Sequence, residues 1–234
     1  MDFRVVSIGA MSAHPLWKER AGVRTGHATT TLVTAGKKRI LVDPGMPPQV
    51  IAARLQERTG LSPGDVTDVF LTSFNPECRR GISLFDRARW LIHETEREVV
   101  GSGLATALKD LVTRSDAQGG VRKDESLLEV LEADVAILKR CEPAPASLAP
   151  HVDVFPMAGV TPGLAGLLLE SPRFTTIICG DAIPTVEHLE QGVVPQSAPD
   201  LEQARASFEE AVEIADLLVL GRDNVVVNPT KKPF

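Results

Sequence analysis

The chain has 234 residues, a formal net charge of −6 and 43% hydrophobic residues, which is enough apolar material for a sizeable core and too acidic a balance for a protein that mainly grips a nucleic-acid backbone. Its basic clusters, Lys37–Lys38–Arg39, Arg79–Arg80 and Lys231–Lys232, are short and read as solvated patches. The start, MDFRVVSIGAM, lacks the basic, long apolar character of a signal peptide, and no apolar run reaches the roughly 20 residues that span a bilayer, so a cytoplasmic protein without membrane or nucleic-acid partners is expected.

Phe3 to Ile8 reads as a strand, and Thr29 to Thr34 and Arg39 to Val42 read as two more, joined by a turn at Gly36–Lys37–Lys38. Asp43–Pro44–Gly45 stops the third strand, because Pro cannot continue a ladder and Gly permits a sharp bend. Gln49 to Arg58 has helical spacing, with Gly60 at its end. Val66 to Leu71 is a strand followed by the polar segment Thr72 to Gly81, and Arg89 to Ile92 is another strand. The pattern then predicts a helix from Thr95 to Arg114, a loop at Asp116 to Gly120, a helix over Glu125 to Glu132 and a strand over Val135 to Lys139. Glu142 to Pro150, with three prolines, reads as an extended connector. Val152 to Phe155, Ala165 to Leu169 and Thr175 to Cys179 are strands, and Thr185 to Gly192 is a helical turn. Asp200 caps a helix that runs to Ala215 with Ala204, Phe208 and Ala211 on one face, and Leu217 to Leu220 closes the sheet system. Strands and helices mix without a break, so residues 1–234 read as one α/β domain.

The three cysteines, Cys78, Cys141 and Cys179, are widely spaced and form no CxxC pair, so neither a disulfide framework nor a thiolate zinc finger is indicated. No glycine-rich phosphate loop and no GxSxG elbow are present.

The punctuation of the strands is more specific. LVDPG (Leu41 to Gly45), LTSFNPECRRG (Leu71 to Gly81), ARWLI (Ala88 to Ile92), GVTPG (Gly159 to Gly163), CGDAIP (Cys179 to Pro184) and LGRD (Leu220 to Asp223) follow in that order. This series resembles the metallo-β-lactamase superfamily from about Thr29 to Asp223. The stretches HATTTLV (His27 to Val33) and GDAIPTVEHL (Gly180 to Leu189) are similar to bacterial members. The resemblance implies an αββα sandwich, two mixed sheets flanked by helices. It also implies a zinc hydrolase site built on a THxHxDH loop, a GHT turn, the aspartate of GDA and a last histidine turn. Imidazole and carboxylate ligands suit Zn²⁺, whose bound water becomes the nucleophile near neutral pH.

Mapped onto those positions, Ser73 and Asn75 stand at the first two histidines, Glu77 at the aspartate and Cys78 at the third histidine. Val160 stands in the GHT turn and Arg222 in the last turn, so Asp181 alone keeps the family's residue. Neutral Ser and Asn oxygens are poor zinc ligands, Val has none, and a guanidinium repels a dication. Arg222 is expected to occupy the space of the second metal, paired with Asp181 or Glu77. Asp43 matches an aspartate that shapes the loop beside the metals. His27, which starts a strand, and His93, which ends one, are candidates for the cleft mouth, and His93–Glu94–Thr95–Glu96 has HxxE spacing. His14, His151 and His188 match no ligand position and read as surface or packing residues.

Three functions remain open at this point. One is a non-catalytic homologue, a pseudoenzyme with a vestigial metal site at Ser73, Asn75, Glu77, Cys78, Val160, Asp181 and Arg222, that needs no cofactor and binds a small molecule or protein partner in the old cleft; self-association into a homo-oligomer is left open. A second is a hydrolase with a remodelled mononuclear zinc site on Glu77, Cys78 and Asp181, helped by His27 or His93. The third is metal-free catalysis with Cys78 as nucleophile and Arg222 as an anion clamp, for which no motif supplies a base.

Overall fold

The structure, a computed structural model, describes residues 1–118 and 122–231. Its first half builds β1 (Asp2–Ser7), β2 (Thr30–Ala35), β3 (Lys38–Val42), α1 (Pro48–Thr59), β4 (Asp68–Leu71), the one-turn α2 (Pro76–Arg79), β5 (Arg89–Ile92), α3 (Glu94–Gln118), α4 (Arg122–Arg140) and β6 (Cys141–Pro143). The second half builds β7 (Ser147–Ala149), β8 (Val152–Pro156), β9 (Ala165–Glu170), β10 (Thr175–Ile178), α5 (Val186–Gln191), α6 (Leu201–Ile214), β11 (Leu217–Val219) and β12 (Val225–Val227).

The strands form two six-stranded sheets, ordered β1-β2-β3-β4-β5-β6 and β12-β11-β10-β9-β8-β7. Both are mixed. β1 to β3 are antiparallel while β3 to β6 run parallel, and in the second sheet only β10 and β11 are parallel neighbours. The central strands are apolar on both faces because both faces are covered. In β3, Ile40 and Val42 face the second sheet with Phe70 and Leu91, opposite Leu167, Leu169, Ile178 and Val219. The alternate residue Leu41 joins Val69, Leu71 and Ile92 against Ile51 and Leu55 of α1 and Leu138 of α4. On the far side, Ile177 and Leu218 pack against Ala204, Phe208 and Ala211 of α6. Helices therefore flank two apposed sheets, the αββα sandwich that the resemblance implies, and each fully buried Leu or Ile contributes on the order of 2 kcal/mol.

Several boundaries move. Val135 to Lys139, expected as a strand, is the last part of α4. A five-residue apolar run has no period that separates strand from helix, and here it continues a helix-forming stretch whose Ile137 and Leu138 pack on the first sheet. The strand comes afterwards, as β6, and the expected connector Glu142 to Pro150 contributes to β6 and supplies β7. Asp116 to Gln118, expected in a loop, continue α3, while the rest of that loop, 119–120, lies outside the described residues, as does Lys232. Leu217 to Leu220 does not close its sheet, since β12 pairs antiparallel outside β11. No described helix is long and apolar enough to cross a membrane.

Candidate functional site

Parallel strands bring their carboxyl ends to one edge of the sandwich, where loops gather side chains from distant parts of the sequence. Asp43 follows β3, Thr72 to Cys78 follow β4, Asp181 follows β10 and Arg222 follows β11. Gly180 makes the sharp turn out of β10 with φ +52°, a left-handed conformation that suits glycine, and it lies directly against Thr72.

Arg222 is the centre of this edge. Its Nε donates to Asp181 Oδ1 at 2.6 Å and its Nη2 to Asp181 Oδ2 at 2.7 Å, a bidentate pair, while Nη1 donates to Glu77 Oε2. The Arg222 side chain is 5% exposed, against 14% for that of Asp181 and 28% for that of Glu77. Burial alone would lower the Arg222 pKa, but Asp181 and then Glu77 raise it, so the side chain is a fixed cation. The main chain holds it in place, because Arg222 N donates to Pro184 O at 2.7 Å and Gly221 N to Ile183 O at 3.0 Å. Two carboxylates against one guanidinium leave the cluster one negative charge in excess.

Behind this triad sits Asp43, buried and with φ +48°. Its carboxyl accepts from Thr72 N at 2.9 Å and Thr72 Oγ1 at 2.6 Å. Burial pushes its pKa up to about 7, outweighing the Thr72 hydrogen bonds and the field of Arg222. Glu96 accepts from Phe74 N (3.0 Å), Thr161 Oγ1 (2.7 Å) and Gly163 N (3.1 Å), and so ties the loop after β4 to the GVTPG turn.

The other mapped residues have local structural tasks. Asn75 Oδ1 accepts from Glu77 N at 3.0 Å as the N-cap of α2. Ser73 Oγ lies 3.6 Å from Cys78 Sγ, and both residues are buried. Burial pushes the Cys78 thiol well above its usual range, and no imidazole contacts it, so it is unsuited to act as a nucleophile. Val160 lines the cavity with its side chain half-buried against the α6 layer. His27 bonds only backbone carbonyls, at Thr25 and Ile8, and lines a different pocket with Met46 and Arg58. His93 has a buried Nδ1 without a partner and does not line the cavity. Neither histidine joins the site.

A dinuclear zinc centre does not fit these residues. Arg222 holds both carboxylates that could serve it, Ser73 and Asn75 are engaged locally, and among the described residues no three His, Cys, Asp or Glu side chains converge to hold an ion. The trio Glu77, Cys78 and Asp181 fails for the same reason. What remains is a cavity of about 290 Å³ over the triad, walled by Met11, Ser12, Val160, Thr161, Pro195 and Ser197. Sequence reasoning missed Thr72, Glu96 and the Ser12 wall. The HxxE spacing contained Glu96, but nothing in it distinguished the glutamate from the histidine.

Residues 23–73 match the sequence profile of the metallo-β-lactamase superfamily. Among solved structures, a Thermotoga maritima protein assigned to the metallo-β-lactamases is 18% identical with TM-score 0.65, over 97% of this chain and 98% of that one. AbOPH, a hydrolase in the β-lactamase superfamily, is 16% identical with TM-score 0.62, over 100% and 92%. AidC, a dizinc quorum-quenching lactonase solved with N-hexanoyl-L-homoserine, is 21% identical with TM-score 0.59, over 80% and 67%. No curated protein sequence matches the chain.

Proposed function

We propose that this chain, which has the metallo-β-lactamase fold, serves as a binding protein and not as a zinc hydrolase. The observation that carries the reading is Arg222, buried and bonded to both Asp181 and Glu77 where a second metal would have to lie. A guanidinium there repels a dication and supplies no bound water to activate. The cavity it leaves is small, mixes apolar walls with the hydroxyls of Ser12, Thr161 and Ser197, and carries an excess negative charge, which favours a small neutral or cationic ligand and opposes carboxylates and phosphates.

Metal analysis of protein purified without chelator, together with a lactone-opening assay on N-hexanoyl-homoserine lactone with added zinc, tests the reading. The expected result is no bound zinc, no turnover and a melting temperature unchanged by EDTA. About one zinc per chain, lost in Asp181→Asn or Cys78→Ala, overturns it in favour of a mononuclear hydrolase.

A further inference from the structure

Between β1 and β2 the chain makes a long excursion, 11–26, closed at its base by the bridge between Ala10 and His27. Its ends are near one another and it packs on its own side chains, the form of an Ω-loop. Arg24 pairs with Glu19, donates to Met11 O at 3.1 Å and lies 5.4 Å over the Trp17 ring. The loop borders the triad at two places. Met11 and Ser12 wall the cavity, and Gly26 abuts the Glu77 carboxylate so closely that a Cβ there would collide with it.

The loop is fastened to the second sheet's side by one set of contacts on and beside α5. His14 Nε2 lies 3.0 Å from Thr185 Oγ1 and 3.2 Å from Glu187 Oε2, and Trp17 Nε1 donates to Glu187 Oε1 at 2.9 Å. Thr185 Oγ1 also lies 2.9 Å from His188 Nδ1, and the His14 ring stacks on Trp17 at 4.2 Å. An ionised Glu187 has no proton to give, so the His14 nitrogen facing it carries the hydrogen. This fastening has an internal cost: His14 Nδ1 and His188 Nε2 are both buried without a partner, and an unpaired buried polar atom has lost its water without a replacement. Undocking the loop would return His14 Nδ1 to water, which offsets part of what the latch gains.

We propose that 11–26 is a releasable strap over the Arg222 cavity, latched by His14 and Trp17 onto Thr185, Glu187 and His188, and that acid opens it. The charged and titratable groups facing His188 are His14, Glu187 and Asp181; Glu19 with Arg24 faces His14 from within the strap, and Arg222 and Asp223 line the small pocket shared by His14, Thr185 and Glu187. Burial first, and then His14, lower the His188 pKa, while Glu187 and Asp181 raise it and do not prevail. A docked imidazole that resists protonation stabilises docking above its ordinary value of 6.5, and that stabilisation is lost as pH falls below it. Burial works to raise the Glu187 pKa, but hydrogen bonds, including that of Trp17, lower it, so its contribution is lost only in stronger acid, below about 4.5. Both groups act in the same direction.

As regulation of the proposed binding cavity, the strap rests on that reading, but its movement needs neither metal nor ligand and can be measured separately. Amide hydrogen exchange on the intact chain, corrected for intrinsic rates, reports it through Ala10, Val23 and His27, whose N–H groups bond within the strap and its base. Going from about pH 7.5 to about pH 5.5, exchange at Ala10, Val23 and His27 is expected to rise at least about threefold while β2 and α6 stay unchanged. His188→Gln should abolish that pH dependence, and Trp17→Ala, at an exposed position, should raise strap exchange at neutral pH. A flat pH response, a response that persists in folded His188→Gln, or unaltered strap exchange in Trp17→Ala overturns the proposal. If His188→Gln does not fold, the wild-type pH response and Trp17→Ala decide it. Zinc found on the protein would defeat the binding-protein reading and leave this result standing.

Discussion

The Arg222 triad and the strap latch adjoin along the segment that carries Asp181 and Thr185 and are built on opposite terms. In the triad every contact is a charge-assisted hydrogen bond, and the guanidinium has a carboxylate on both sides. In the latch, two imidazoles share one threonine hydroxyl, and two ring nitrogens are left over. Satisfaction of every polar group makes a rigid element, and partial satisfaction makes one that can part. The difference separates the floor of the cavity, which is fixed, from its wall, which is fastened only as strongly as pH allows.

Breaking the floor should have the largest effect. Arg222→Ala leaves two carboxylates facing each other in a buried setting and is expected to cost about 3–5 kcal/mol by urea denaturation. Adding Asp181→Asn and Glu77→Gln should recover much of that loss. Asp43 should come next, through pH. Its carboxyl binds its proton more tightly in the folded chain, at about 7, than at its ordinary 3.8. Its contribution is therefore complete below about pH 4 and is lost as pH rises through about 7, a change of about 4 kcal/mol. Asp43→Asn keeps the shape and should flatten that part of a melting-temperature profile. Glu96→Gln retains one acceptor oxygen and puts a donor amide where Thr161 or Gly163 donates. A loss of about 1–2 kcal/mol is expected by the same denaturation assay. Trp17→Ala should be smallest globally, under about 1 kcal/mol, with its effect confined to strap exchange.

The motif order in the sequence located the floor and not the wall. LVDPG, GDA and LGRD are turns at strand ends, so their register carries Asp43, Asp181 and Arg222 to one edge, and a cation between carboxylates has few other places to go. His14 and Thr185 meet across 171 residues, and no local pattern marks either partner. The histidines of the latch were legible only as packing residues, and their shared hydroxyl was not visible at all. His27 and His93 show the opposite failure: strand-end positions suggested a cleft, but their side chains turn to backbone carbonyls or into the protein. At Val135 to Lys139 a run of aliphatic residues lacked the length to declare its period, and only its packing on the first sheet decided for helix.

Glu77 and Arg222 are separated by 145 positions and belong to loops of different sheets. Their bond is therefore a suture between the halves of the molecule, and it is made late. During synthesis the glutamate and Asp181 emerge as uncompensated charges and wait for residue 222 before they can be neutralised. A nascent chain stalled anywhere earlier would hold an edge that repels itself, so this edge of the sandwich is completed only once residue 222 has been made.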